Sequence, residues 1–368
     1  MSWIEGAGVG AAATVAALGL MACSPGQPSA PAKPATLVKA AVPAPATDPA
    51  LQAINAAAYA PAAPAAASTA VARVPAVDPP PNPVLIRTEV LLDRARFSPG
   101  VIDGKDGGNA RHALAAFQAG AGLPATGALD QATWSALTRD ARPVASPYVV
   151  SDADVAGPFA PAVGEDFVKL AALPMGPLFT SPLEALAERF HMSQALLVAL
   201  NPRADFGKAG TRLIVAAPGA APLTKGQVGR VEVSKAKEQV TAFDAGGAVL
   251  ATYPATVGST ERPSPSGTHK VMGVAFDTDY VYDPKKLNWG PRSHGKLRIK
   301  PGPNGPVGVV WIALNAPSYG IHGTPDPDKI GKTASHGCVR MTNWDATALA
   351  QGVAPGVSVN FVGDRGKG

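Results

Sequence analysis

The sequence predicts a multidomain protein. Its C-terminal part is expected to be a mainly antiparallel β domain with one short helix, preceded by a three-helix domain and a small α+β module. The chain has 368 residues, which is more than one ordinary domain usually holds. Its 39 glycines and 38 prolines favour loops and linkers over large regular cores. Helical apolar spacing occupies the middle of the chain, whereas apolar and polar residues alternate in the C-terminal third.

Residues 1–23 have the features of an export signal. The stretch 7–22 is uncharged and rich in Ala, Gly, Val and Leu, but it is too short and too weakly apolar for a membrane span. It ends in the letters LMAC, which resemble a bacterial lipoprotein box with Cys23 as the lipidated residue. Glu5 stands in the region where such signals carry Lys or Arg, and an ordinary cleaved signal is the alternative. We expect a periplasmic protein with a lipid anchor at Cys23, and Ser24 favours the outer membrane.

Residues 24–82 consist almost entirely of Pro, Ala, Ser, Thr and Val, without an apolar period. This composition predicts a disordered, partly polyproline-like linker. The net charge of +5 and the pI near 9.2 suit an anionic polymer that carries carboxylates as a partner. Because the basic residues are not gathered in Lys/Arg runs, nucleic acid is not expected as a partner.

Residues 83–140 predict three short helices around one small core. The segment PVLIRTEVLLDRARF has helical apolar spacing, Asn109 is the expected cap of the second helix, and Asp130 that of the third. The letters GVIDG and AAFQAGAGLPATGALDQATWSAL resemble the three-helix peptidoglycan-binding module. A generic three-helix bundle is the alternative.

Residues 141–175 are rich in Pro and Ala and are interpreted as a second linker. Residues 176–218 then predict two short helices and a strand, with Ser181 and Ser193 as the helix caps. This order resembles a LysM wall-binding module, although the first strand of such a module is indistinct here.

Residues 226–363 predict the β domain. Alternating segments such as RVEVS and EQVTAF are separated by turn residues, and PVGVVWIAL indicates a buried strand. After the second cysteine, Thr342 or Asn343 can cap a short helix that ends at Gly352.

Cys338 is the residue most indicative of chemistry. The chain has two cysteines, so lipidation or removal of Cys23 leaves Cys338 as a lone thiol in a compartment that favours disulfides. A bridge between the two cysteines is the alternative. A nearby imidazole can lower the pKa of a thiol by forming an ion pair with the thiolate. The candidate bases are His336 and His322, and we favour His322 because a histidine on a neighbouring strand can face the sulfur.

The motifs IHGT (321–324) and SHGCVRMTN (335–343), with Cys338 sixteen positions after His322, resemble the catalytic domain of L,D-transpeptidases, which has a YkuD-like β-sandwich fold. The resemblance implies that Cys338 is the nucleophile, that His322 is the base, and that the Gly323 carbonyl orients the imidazole. His336 and Gly337 would line the oxyanion side together with the Cys338 amide. The candidate substrate-binding residues are Ser335, Arg340, Tyr319 and Asn343; Ser335 and Arg340 could instead support the loop, and Tyr319 could be a wall of the site.

The resemblance also implies the reaction. The thiolate would attack a peptidoglycan tetrapeptide stem, release its terminal D-Ala, and pass the acyl group to an amine in a 3–3 cross-link, without a cofactor. Water or a wall protein could be the acceptor instead, which would make the enzyme a carboxypeptidase or an anchoring enzyme. Residues 276–305 are long, basic and rich in Gly and Pro, and we expect them to cover the site with cations that meet stem carboxylates.

Two other classes of function remain open in the sequence. His322, His336 and Cys338, with Asp326 or Asp328, could form a metal site. Alternatively, the wall-binding modules could serve a non-catalytic scaffold, although the intact cysteine and both histidines argue against this.

Overall fold

The computed structural model describes residues 48–61, 81–259, 261–285, 293–335 and 337–363. The expected export signal with Cys23, most of the 24–82 linker, and His336 lie outside the described residues. Within the described ranges, no helix has the length and apolarity needed to cross a membrane.

Among the described residues, helices predominate up to residue 200 and strands predominate after it. The helices are α1 (Pro49–Asn55), α2 (Pro83–Arg94), α3 (Gly108–Gly120), α4 (Gln131–Leu137), α5 (Asp152–Ala156), α6 (Phe167–Ala172), α7 (Pro182–Arg189), α8 (Gln194–Leu200) and α9 (Asn343–Gly352). The strands are β1 (Ala145–Val149), β2 (Arg212–Ala216), β3 (Arg230–Ser234), β4 (Gln239–Phe243), β5 (Val249–Pro254), β6 (Gly267–Phe276), β7 (Tyr280–Tyr282), β8 (Leu297–Ile299), β9 (Val310–Leu314), β10 (Gly320–His322), β11 (Val339–Arg340) and β12 (Ser358–Val362).

The three helices expected in residues 83–140 are α2, α3 and α4. Asp130 caps α4 as expected, because its carboxylate accepts the Thr133 N–H at 2.7 Å. The cap expected at Asn109 is wrong, since α3 begins one residue earlier. The Asn109 side chain instead donates to the carbonyl of Ile330 at 2.9 Å, which ties α3 to the loop between the two histidine motifs.

Part of the expected 24–82 linker is a docked helix, α1, so the prediction of disorder is wrong there. Ile54 is 2% exposed and lies in the core of the helical region. The Asn55 side chain accepts the N–H groups of Val144 and Ala145 at 2.8 and 2.9 Å. So short a helix is stabilised by the surface on which it packs, and the composition of the linker does not reveal that surface.

The linker expected at 141–175 is also wrong, because it contains β1, α5 and α6. Strand β1 pairs antiparallel with β2, and Tyr148 lies opposite Leu213. The alternation of β1 is hidden in the sequence by Pro147, which an edge strand tolerates. The strand expected within residues 176–218, β2, therefore pairs with a strand some thirty residues upstream of residue 176.

The three-helix domain and the β1–β2 module share one hydrophobic core. Its buried members come from α2, α7, α8 and β2 alike, and they include Ile86, Val90, Leu186, Leu197 and Leu213. The two segments therefore pack as one body, where the sequence predicts two domains joined by a linker.

The mainly antiparallel β domain with one short helix is confirmed. Eight strands form one sheet in the order β11-β10-β9-β6-β12-β3-β4-β5. Neighbouring strands are antiparallel except for the parallel pairs β10–β11 and β12–β3. Alternate side chains such as Val231, Val240 and Ile312 enter a single core together with residues of α9. Thr342 caps α9 by accepting the Asp345 N–H at 3.2 Å.

The helical region packs directly against the β domain. The Thr252 N–H in β5 donates to the carbonyl of Arg96 at 2.8 Å, which extends the edge of the sheet. At the same boundary, His191 Nδ1 lies 2.8 Å from Asp93 Oδ2, and the His191 ring stacks on Trp344 with 4.9 Å between centroids. The residues that the structure describes from 48 to 363 accordingly belong to one compact unit.

Candidate active site

Strands β10 and β11 bring the two sequence motifs side by side. His322 lies opposite Arg340, and Ile321 lies opposite Val339. Ile321 and Val339 are fully buried in the core. Because side chains alternate along a strand, His322 and Arg340 point to the opposite face. Cys338 directly precedes β11, so the register brings the cysteine motif to the strand next to the one that carries His322.

Gly323 holds the imidazole of His322 in one tautomer. Nδ1 lies 2.7 Å from the Gly323 carbonyl oxygen. Since a carbonyl only accepts, Nδ1 carries the proton and Nε2 is the nitrogen that can act as a base. The ring of Trp311 stacks on the imidazole with 5.5 Å between centroids. Burial, assisted by the charge of Arg340, lowers the pKa of His322 to about 3, so the base is neutral at neutral pH.

The sulfur of Cys338 is a protonated thiol in the resting site. Sγ lies 3.6 Å from the carbonyl oxygen of Ser318, to which the thiol donates. Burial raises the pKa of the thiol, and the Gly320 N–H and the Arg340 charge offset this only in part. Burial thus disfavours the charged form of both groups, whereas the sequence predicts a thiolate–imidazolium pair.

Gly337 brings the wall of the site close to the nucleophile. Its φ of +116° lies in the region that favours glycine. A Cβ there would lie 2.8 Å from a ring carbon of Tyr319, so this ring packs directly over the backbone before Cys338. The hydroxyl of Ser264 donates to the Gly337 carbonyl at 2.7 Å and fixes the turn. Tyr319 thus forms a wall of the site, which was one of its two expected positions.

The structure contradicts a substrate-binding role for Ser335. Its hydroxyl donates to the Cys338 carbonyl at 2.5 Å and accepts the Gly337 N–H at 3.1 Å, and the residue is buried. Ser335 shapes the loop instead, because both hydrogen-bonding functions of its hydroxyl are used within it. The same contact engages the N–H of Gly337. That Gly337, His336 and the Cys338 amide line the oxyanion side stays a prediction.

The structure also contradicts a substrate-binding role for Asn343. Its amide donates to the Pro303 carbonyl at 3.2 Å and accepts the Val309 N–H at 3.3 Å, and the side chain is buried. A Cβ built on Gly323 would overlap Asn343 Oδ1. Asn343 therefore braces the backbone whose carbonyl orients His322. The sequence motif shows that residue 343 carries an amide, but it does not show that this amide is bonded to the backbone of Pro303 and Val309.

Arg340 lies within the site, since its charge lowers the pKa of both His322 and Cys338. Its contact with substrate stays a prediction, and so does the role of His336, which lies outside the described residues. In the part of the chain that the structure describes, no group of three or more His, Cys, Asp or Glu side chains is placed to hold a metal ion.

Sequence reasoning missed three contributions to the site. Ser318 supplies a carbonyl, and its φ of +67° marks a strained turn that no letter pattern reveals. The Trp311 ring stacks on the imidazole of His322. The hydroxyl of Ser264 holds the Gly337 carbonyl. Of these three residues, only Ser264 lies in a segment, SPSG (264–267), that belongs to the family resemblance.

A family model described as the L,D-transpeptidase catalytic domain matches residues 229–360, and one described as a putative peptidoglycan binding domain matches residues 89–137. The putative L,D-transpeptidase YkuD of Bacillus subtilis is 30% identical over 179 residues, which cover 49% of this chain and 92% of that protein. The chain belongs to the L,D-transpeptidase family.

Other similar proteins are also named L,D-transpeptidases. The putative L,D-transpeptidase YkuD of Bacillus licheniformis is 29% identical over 184 residues, which cover 49% of this chain and 92% of that protein. Among solved structures, L,D-transpeptidase 3 from Mycobacterium tuberculosis matches at 16% identity and a TM-score of 0.31, covering 41% of this chain and 67% of that chain. The family models and the relatives, rather than this structural match, make the protein an L,D-transpeptidase that acts on peptidoglycan and carries a peptidoglycan-binding domain.

Proposed function

We propose that this L,D-transpeptidase forms 3–3 cross-links, using a tetrapeptide stem as acyl donor and a side-chain amine of a second stem as acceptor. The observation that supports this most directly is a free thiol directly before β11, beside the strand that carries a neutral imidazole whose Nδ1–H is held by Gly323 at 2.7 Å. This is the arrangement of a nucleophile, a base and an orienting acceptor.

The first half-reaction is acylation of Cys338. The sulfur attacks the carbonyl of the third stem residue while His322 Nε2 takes the thiol proton. The imidazolium that forms is stabilised through its Nδ1–H by the Gly323 carbonyl. By the family resemblance, the Cys338 N–H donates to the tetrahedral oxyanion. Such an interaction typically raises the rate by ~10²–10³-fold. His322 then protonates the leaving amine of D-Ala, and a thioester remains.

The second half-reaction releases the enzyme. The acceptor amine attacks the thioester carbonyl and gives up a proton to His322, and the sulfur leaves as a thiol. Water at the same position would give a tripeptide stem instead, and an amine of a wall protein would give anchoring. Exclusion of water from the cleft therefore determines the product.

The test is incubation of the purified protein with tetrapeptide muropeptides, followed by mass spectrometry. We expect a dimer whose mass equals donor plus acceptor minus D-Ala, and no dimer with Cys338→Ala. Tripeptide monomers alone would instead identify a carboxypeptidase. No change of any muropeptide by the wild-type protein, or equal activity of the Cys338→Ala variant, would contradict the proposal.

We further propose that the protein is exported to the periplasm and anchored by a lipid on Cys23, with the outer membrane favoured. The LMAC box supports the anchor, and the peptidoglycan-binding domain with the LysM-like order of β1, α7, α8 and β2 supports retention at the wall. Cys23→Ala should leave the membrane fraction and sediment with isolated peptidoglycan. Unchanged membrane fractionation of this variant would contradict the anchor, and failure to sediment would contradict wall binding.

A further inference from the structure

The indole of Trp311 lies against the imidazole of His322. Strands β9 and β10 pair antiparallel with Trp311 directly opposite His322, so the two side chains share one face of the sheet. Their rings stack with 5.5 Å between centroids and 23° between planes. This separation is within the ~6 Å at which the face of an aromatic ring attracts a cation. The base of the proposed reaction therefore has an aromatic face as its neighbour.

The strands on both sides of Trp311 leave room for its ring. Gly320 lies two residues before His322 on β10, and a Cβ at Gly320 would lie 2.5 Å from one atom of the Trp311 ring and 2.7 Å from two others. The indole therefore rests directly on the backbone of β10. On the other side, the residue opposite Trp311 in β6 is Ala275, whose side chain is a single methyl group. The position of the indole beside the imidazole is thus fixed by the sheet.

The proposed reaction creates a positive charge on His322. As the sulfur of Cys338 bonds to the stem carbonyl carbon, the carbonyl π electrons move to the oxygen and the thiol proton moves to Nε2. The ring is then an imidazolium until Nε2 gives its proton to the leaving amine. His322 is 4% exposed, so water stabilises little of this charge. The barrier to acylation therefore depends on the protein groups around the imidazole.

The groups around His322 differ in their effect on an imidazolium. The Gly323 carbonyl oxygen favours it, because it accepts the Nδ1–H at 2.7 Å. Burial and the positive charge of Arg340 oppose it. Among the residues that the structure describes, no Asp or Glu side chain forms an ion pair with His322, as a carboxylate does in a Ser–His–Asp triad. The electron-rich face of Trp311 is therefore a second feature, besides the Gly323 carbonyl, that favours the charged ring.

We propose that Trp311 lowers the barrier to acylation by stabilising the His322 imidazolium through a cation–π interaction. This inference rests on the proposed acyl transfer by Cys338 and His322. Because Trp311 acts through His322, it is a positioning residue of the reaction. Its contribution depends on the electron density of the indole face as well as on the volume of the ring, and this dependence separates it from a residue that only packs.

The first test changes the electron density of the indole and keeps its shape. A heavily fluorinated tryptophan introduced only at position 311 fills the same space, but its face no longer attracts a cation. We expect acylation of Cys338 by the donor stem to slow ~2–30-fold at neutral pH. The KM for the donor stem should change less, because the imidazolium forms only after the stem has bound. Mass spectrometry of the acyl-enzyme after rapid mixing measures the rate.

The stack of His191 on Trp344 supplies a matched control. These two rings lie 4.9 Å apart between centroids with 9° between planes, but His191 takes no part in the proposed chemistry. The same analogue introduced only at position 344 should leave acylation at the wild-type rate. Equal slowing at both positions, or no slowing at position 311, would overturn the cation–π interaction.

A second test uses ordinary side chains. Phenylalanine offers a weaker aromatic face than tryptophan and leucine offers none, so acylation should slow in Trp311→Phe and slow further in Trp311→Leu. Alkylation of Cys338 by iodoacetamide requires the thiolate but no imidazolium, so its pH profile should match the wild type in both variants. An alkylation rate that falls in parallel with acylation would show that Trp311 acts only on the shape of the site, and would overturn the proposal. A wild-type protein whose Cys338 is acylated by no stem peptide contradicts the proposed function instead, so the two failures are distinguishable.

Discussion

Replacing His322 by glutamine lowers the rate of Cys338 acylation by the donor stem by ~10²–10⁴-fold. The imidazole is the base that takes the thiol proton. Because the resting thiol is protonated, the sulfur cannot attack efficiently without this base. The pKa of His322 is lowered to about 3, first by burial and then by the Arg340 charge. The base therefore stays neutral well below pH 6, and wild-type acylation should not show the loss between pH 7 and 6 that an ordinary histidine gives.

The alkylation rate of the free thiol should depend on the pKa of Cys338, which is raised, whereas the pKa of His322 is lowered. Burial raises the pKa of Cys338 above the usual value of a thiol, so alkylation by iodoacetamide should be slow at pH 7 and rise through the alkaline range. Cys338→Ala measures the background, including any contribution of Cys23. A plateau of alkylation near pH 6 that disappears in His322→Gln would instead demonstrate a thiolate–imidazolium pair in the resting enzyme and contradict the neutral pair.

The β domain and its nucleophile could be predicted because both depend on local patterns. Alternation in segments such as residues 230–234 indicates strands, and the two motifs carry the family resemblance. Helix α6 was missed, although Asp166 caps it and Phe167 and Leu170 have helical spacing. Its six residues gain their stability from the hairpin of β7 and β8, more than a hundred positions away. No window on the sequence contains both partners, so the segment was interpreted as a linker.

The directions of the Ser335 and Asn343 side chains also could not be predicted from the sequence. Ser335 and Asn343 lie in the catalytic motif, and the family resemblance made both of them candidate substrate-binding residues. Their hydrogen bonds instead go to backbone groups of the loops around Cys338 and Gly323. A hydroxyl or amide whose hydrogen bonds all go to the backbone has a structural role. Whether a side chain makes such bonds depends on where the loops lie, which the sequence does not show.

Replacing Asn343 by alanine destabilises the fold by ~2–4 kcal/mol. The substitution removes a donor to Pro303 and leaves the Val309 N–H without its acceptor beside a buried loop. The same change should lower acylation, because the backbone that Asn343 contacts includes Gly323, whose carbonyl holds His322. Chemical denaturation measures the first effect, and the burst of acyl-enzyme seen by mass spectrometry measures the second.

A double-mutant cycle of Asn343→Ala with Gly323→Ala tests whether the Asn343 side chain acts on stability through its contact with Gly323 or only through the fold in general. In the wild type the new methyl group would overlap Asn343 Oδ1, so Gly323→Ala should be strongly destabilising. In the Asn343→Ala background the remaining close atom is the residue 343 Cα at 3.4 Å, which is a tolerable contact. The cost of Gly323→Ala should therefore fall by ~1–3 kcal/mol in that background. Equal costs in both backgrounds would mean that Asn343 does not press on Gly323, and the imidazole would then be oriented by the strand alone.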